Sequence, residues 1–198
     1  MFRSRRRDVV FPQSEHARLA GALAALFRVD DDVVAGILWH DRGYPPMDTD
    51  GIREVPPERW HELMRAGFAP ETENPVMDHV VRMHIHRLCR GAAPDLAAEL
   101  EPGLAASLRR SGLSAEAAAA ADRVTEVCDA AAFDFCFEEP ATGTAGGVRY
   151  TVDGEGGIAF DPWPSAAAPI DGWILAFPAD GYPDRAVPVV VPFGAGPE

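Results

Sequence analysis

Asp30-Asp31-Asp32-Val33-Val34-Ala35-Gly36-Ile37-Leu38-Trp39-His40-Asp41-Arg42-Gly43 is the stretch whose reading decides the fold of this chain. The three aspartates stand where a helix dipole favours acids, and Val33, Ile37 and Asp41 recur every four residues. The segment is therefore predicted to be a helix running to about Asp41 and ended by Gly43. His40 lies seven residues after Val33 and three after Ile37, on the apolar stripe, and Asp41 lies beside it. An imidazole and a carboxylate are costly to bury without compensation, and a bound cation is one natural compensation. That points outward along the chain, to other histidines and acids on apolar faces.

His16 precedes His40 by 24 residues, on a helix predicted from Gln13 to Arg28 with Ser14 as its cap. It stands three residues before Leu19 and seven before Leu23, on their stripe. A further helix, from Asn74-Pro75 to about Arg90, has an apolar face of Met77, Val80, Val81, Ile85 and Leu88. His84 falls on that face, four residues from both Val80 and Leu88, whereas His79 and His86 fall on the arginine-bearing side and read as surface residues. The last predicted helix, Ser114 to Phe137, is apolar nearly all round and so central. Asp129 in its middle needs a partner, a proton or a cation, and Arg18 or Arg123 could be that partner. Imidazole and carboxylate donors gathered from separate helices suit a divalent transition ion, with manganese, iron or cobalt favoured over calcium.

The remaining segments give two more helices, Pro56 or Pro57 to Gly67 and Pro94 to Arg110, so about six in all. After Glu139 the composition changes. Short extended runs (Val148–Val152, Ile158–Phe160, Trp173–Phe177, Val187–Val191) alternate with Gly-rich turns, the pattern of an antiparallel meander. The expected fold class is mainly α: a helical bundle with a C-terminal antiparallel β meander packed on it. It forms one domain over 1–198, with a helical core over 8–139, a β appendage over 140–198 and a basic, solvated tail over 1–7.

Composition excludes several functions. The net charge of −13 argues against a nucleic-acid backbone as partner. All 18 basic residues are arginine, which removes Schiff-base chemistry and the lysine of a phosphate-binding loop. No apolar run is long enough for a membrane span, and Val9-Val10-Phe11 is too short for a secretory signal. Three cysteines (Cys89, Cys128, Cys136) without paired spacing fit a reducing, cytoplasmic setting.

His16, His40-Asp41 and Asp129 resemble, in order, type and approximate spacing, the pattern of the HD superfamily of metal-dependent phosphohydrolases. His84 resembles the extra histidine that some members contribute. The segments Gln13–Gly21, His40–Tyr44, Met83-His84, Val127–Asp129 and Asp161–Pro164 look like a bacterial family catalogued as a domain of unknown function, itself HD-like. That family commonly has an acidic or polar residue after the His-Asp pair and a Trp after the glycine; this chain has Arg42 and Tyr44.

The resemblance implies an HD-like bundle and a divalent transition metal held by His16, His40, Asp41, His84 and Asp129, with the number of ions left open. On a hydrolase reading, a small phosphate ester or phosphodiester is cleaved, with Asp41 holding the ion, His84 or Asp48 taking a proton, and Arg18, Arg42 or Arg82 binding the phosphorylated substrate. The loop Tyr44–Val55 would line the site mouth. The alternative is a non-catalytic metal- or ligand-binding protein, with Trp163-Pro164 as a contact surface. Redox chemistry at an iron centre is a minor third reading.

Overall fold

The computed structural model describes residues 1–45, 48, 55–164, 167–184 and 187–197. Among them are six α-helices: α1 (Gln13–Ala24), α2 (Asp31–Leu38), α3 (Pro57–Phe68), α4 (Pro75–Ala92), α5 (Pro94–Ser111) and α6 (Ala115–Phe137). The seven strands are β1 (Phe2–Arg3), β2 (Val9–Phe11), β3 (Ala141–Ala145), β4 (Val148–Val152), β5 (Gly157–Asp161), β6 (Ile170–Pro178) and β7 (Val189–Ala195). The architecture is thus mixed α/β, not mainly α.

The strands form one mixed, curled sheet in the order β1-β2-β6-β7-β5-β4-β3. Every pairing is antiparallel except β5 with β7, so the C-terminal strands are not a simple meander. The segment expected to be a basic tail supplies β1, and β2 hydrogen-bonds to β6. The strands show period-two burial: Tyr150 and Val152, Ile158 and Phe160, Ile174 and Ala176, and Val191, Phe193 and Ala195 turn inward. They share one core with Leu19, Leu23, Ile37, Val127, Ala131 and Phe135 from α1, α2 and α6. Truncating a ring such as Phe135 in that core costs about 3–5 kcal/mol.

A second apolar cluster joins Tyr44, Leu63, Met64 and Phe68 to Val81, Ile85 and Cys89 of α4 and to Leu96 and Leu100 of α5. α4 therefore has two apolar flanks, with Val80 in the first core and Val81 and Ile85 in the second. This second flank explains why His79, expected at the surface, is buried: α5 covers it, and Ser107 lies 2.8 Å from its Nδ1.

Two helix boundaries differ from expectation. α2 ends at Leu38, so His40-Asp41 lies on the turn that follows the helix. Gly43 serves a close approach there. A Cβ on it would collide with the Leu63 carbonyl, and Gly67 of α3 lies immediately opposite. α1 takes no cap from Ser14; its residue before the first turn is Pro12, and Asp48 reaches over to accept the Gln13 N–H at 3.1 Å. Elsewhere the caps follow residue chemistry, with Asp30, Asn74 and Ser114 accepting backbone N–H groups of α2, α4 and α6.

Candidate metal centre

Four elements converge between the two apolar clusters. α1 presents His16, the turn after α2 presents His40 and Asp41, α4 presents His84, and α6 presents Asp129. His16, His40 and His84 are buried, Asp41 is 8% exposed and the Asp129 side chain 22% exposed. His16 Nε2 lies 3.2 Å from His40 Nε2, 3.0 Å from Asp129 Oδ1 and 3.6 Å from Asp41 Oδ2. His40 Nε2 lies 3.3 Å from Asp129 Oδ1 and 3.5 Å from Asp41 Oδ2. An ion with bonds of about 2.1 Å in tetrahedral or octahedral geometry has neighbouring ligand atoms about 3.0–3.4 Å apart. The measured edges fall at or just beyond that range, so His16, His40 and Asp129 form a group of donors that could hold a metal ion, with Asp41 Oδ2 beside both imidazoles.

The orientation of His40 suits ligation. Its Nδ1 lies 2.6 Å from the Ile37 carbonyl, which can only accept, so Nδ1 carries a hydrogen. Nε2 is thereby left to face the two carboxylates, and backbone hydrogen bonds of this type fix the tautomer of metal-binding histidines. Phe2 of β1 covers His16 with ring centroids 4.8 Å apart.

The electrostatics also call for a cation. Burial alone would lower the pKa of His40, but neighbouring Asp41 and the hydrogen bond to Asp129 raise it to about 9. Burial pushes Asp129 up, yet His84, His16 and His40 hold it well below the usual carboxylate range. Asp41 is likewise held low against burial by His40 and His84. A buried and a partly buried carboxylate thus draw positive charge into the cluster, as a proton or as a metal ion.

His84 occupies a different position. Its Nδ1 is 3.1 Å from Arg87 Nη2, and a guanidinium can only donate. His84 Nδ1 is therefore an acceptor and its proton sits on Nε2, which is buried, lacks a hydrogen-bond partner and points at Asp41 Oδ1 from 3.5 Å. Burial keeps the His84 pKa low, although Asp129 opposes this. His84 also forms, with His40 and Asp41, a second group of donors that could hold a metal ion, in which an ion would replace the Nε2 proton.

Arg87 was not singled out by sequence reasoning. It pairs with Asp122 and lies 3.9 Å from Asp129 Oδ2, so it takes the place considered for Arg18 or Arg123. The signal was available: Arg87 follows His84 by three residues and must share its face of α4.

The remaining candidates are placed as follows. Asp48 is buried at the N-terminus of α1, 3.8 Å from the Met1 ammonium, and burial raises its pKa; among the described contacts it caps a helix rather than joining the cluster. Arg82 is buried and donates to the carbonyls of Phe68, Ala69 and Pro70 at the end of α3. It stands two positions before His84, which puts it on nearly the opposite side of α4. Arg42 donates to Gly67 O, Pro70 O and Asp78. Arg18 donates to Trp173 O and lies over the Trp173 ring at 4.4 Å.

A cavity of about 240 Å³ touches Asp41 and is lined also by Arg18, Leu38, Trp39, Arg42 and Pro45. Of the loop expected to line the mouth, Pro45 does so, and positions 46, 47 and 49–54 lie outside the described residues. Trp163 is half-buried, packs near Phe160 and donates to the Ala167 carbonyl. No protein-family model, curated protein or solved structure matches this chain. No helix among the described residues is long and apolar enough to cross a membrane.

Proposed function

We propose that His16, His40, Asp41 and Asp129 hold a divalent transition-metal ion and that the protein is an HD-like hydrolase of a small phosphate ester or phosphodiester. The observation that carries the reading is the convergence of these side chains, the Nε2 atoms of His16 and His40 lying 3.0–3.6 Å from a carboxylate oxygen of Asp41 and of Asp129, from parts of the chain up to 113 residues distant. The mixed imidazole and carboxylate donors favour manganese, iron or cobalt over calcium. When bound, such an ion supplies a Lewis acid for a phosphoryl oxygen and lowers the pKa of a coordinated water.

The chain's own residues do the rest. Asp41 joins the cluster to the cavity and so sets where a substrate phosphoryl group meets the site. His84 Nε2–H, aimed at Asp41, serves as the hydrogen-bond donor and proton carrier beside it. Arg18 at the cavity wall supplies positive charge for the phosphate. Arg42 also lines the cavity, but three of its hydrogen bonds hold the fold, so its contribution is field rather than contact. Asp48 drops from the catalytic assignment and Arg82 from the substrate-binding one.

The near-complete burial of the cluster favours a second reading, a non-catalytic metal-binding protein. One experiment separates them. Protein purified without chelator is analysed for metal, then assayed on phosphomonoesters and phosphodiesters with manganese, iron or cobalt present. Turnover lost together with metal in Asp129→Asn supports the hydrolase. Metal retained with no turnover across the panel supports the second reading.

A further inference from the structure

The cavity beside Asp41 has chemistry of its own. Its wall is built from the apolar parts of Ala17, Leu38, Trp39 and Pro45, with Arg18 and Arg42 as its cationic members and Glu15 and Asp41 as its acidic ones. Large apolar side chains gather at the surface here. Trp39 is 54% exposed, Leu38 38% and Trp173 51%, and Trp173 carries the stacked Arg18 guanidinium. Exposing Trp39 and Leu38 at the opening, with Trp173 beyond Arg18, leaves apolar surface in water, and such clusters mark ligand-binding grooves. The two arginines of this lining are matched by two carboxylates, Glu15, 3.4 Å from Arg18, and Asp41, so the attraction for an anionic group comes from the ion of the proposed metal centre. At about 240 Å³ the cavity is smaller than the roughly 300–1,000 Å³ typical of drug-sized ligands, so it suits a single ring and its anionic group.

We infer that this cavity binds the planar aromatic group of a small phosphorylated or phosphonylated compound. The ring lies against Trp39 and the anionic group lies between Arg18 and Asp41's cluster. The specificity-determining residues are Trp39, which offers the stacking face, and Arg18, which Trp173 holds at the rim. The inference rests on the proposed metal centre for the anionic half of the ligand only; the aromatic half rests on the cavity.

The test uses two phosphonates that no phosphatase activity consumes, phenylphosphonate and methylphosphonate, titrated calorimetrically into the whole chain with and without manganese. Metal content is measured on the same samples. Phenylphosphonate is expected to bind at least about tenfold more tightly than methylphosphonate, and Trp39→Ala to remove that preference while circular dichroism and metal content stay unchanged. A preference that survives Trp39→Ala, or equal binding of the two compounds, overturns the inference. A preference seen in metal-free protein supports the aromatic cavity even if no metal is found, so failure of the metal centre is read separately from failure of the cavity. Arg18→Gln is expected to weaken both phosphonates by a similar factor and leave their ratio intact; a changed ratio would overturn the division of roles.

Discussion

Two buried charged clusters lie within a few residues of each other on α4, and they are neutralised in opposite ways. Asp78 in the first turn of α4 is fully buried. It accepts from Arg42 at 2.9 Å, from Arg110 at 3.1 Å and from the Thr72 N–H at 2.7 Å. Burial alone would raise its pKa, but Arg42 and Thr72 hold it below the ordinary carboxylate value. This cluster carries its own counterions. Six residues on, His84 looks into a cluster whose two carboxylates face imidazoles and a single arginine at the margin. The first arrangement is finished as it stands, whereas the second has donors that could hold a metal ion.

The sharpest way to break the comparison is to remove Asp78. Asp78→Ala leaves two guanidinium groups and an N–H facing a buried void, and unfolding by denaturant is expected to show a loss of about 3–5 kcal/mol. Metal content of the folded protein should not change. A loss of metal equal to that in Asp129→Asn would merge the two clusters into one.

Two buried histidines sharpen it further. His40 has carboxylate neighbours and is raised to about 9; His79 is buried beside Arg82 and is lowered to about 4, burial being the larger cause. A proton thus binds His79 more tightly in the unfolded chain, whose imidazole titrates near 6.5. Stability from neutral His79 is present above that pH and is lost as pH falls toward 4, by on the order of 3 kcal/mol. Urea midpoints measured from pH 7 to 4 should fall less steeply in His79→Asn than in the wild type. Parallel curves would contradict the assignment.

Chelation comes next in size. A ligand that binds only the folded chain stabilises it by about 2.7 kcal/mol at a free concentration 100 times its Kd. Removing metal should lower the melting temperature of the wild type and of Asp78→Asn. It should leave His40→Ala unmoved. The smallest effect is expected at Arg87→Met, which frees His84 Nδ1 from its donor. Nitrogen NMR of metal-free protein should then show His84 shifting its proton from Nε2 toward Nδ1, with little change in stability.

Much of this was legible in the sequence, and the failures have physical causes. Apolar periodicity together with cap and proline signals located the six described helices, and four-residue spacing brought His84 to the same side as Val80. The convergence of His16, His40, Asp41 and Asp129 followed from requiring buried polar groups to have partners. The partners themselves were less visible. Arg42 and Arg82 looked free for a substrate because nothing local shows that carbonyls ending α3 would take their donors. Asp48 looked catalytic because its target, the start of α1, is 35 residues away. β1, β2 and β3 were missed because two are very short and Ala141–Ala145 has little strand propensity; each forms by pairing with a neighbour. The parallel β5–β7 contact is likewise a tertiary outcome that alternation cannot reveal.

Elemental analysis of the whole chain, purified without chelator and again after reconstitution with manganese, iron or cobalt, tests the central claim most directly. The account expects a stoichiometric divalent transition metal that disappears in His40→Ala and Asp129→Asn while their helical circular dichroism persists. A folded wild-type chain that takes up no such metal under any of these conditions would contradict it.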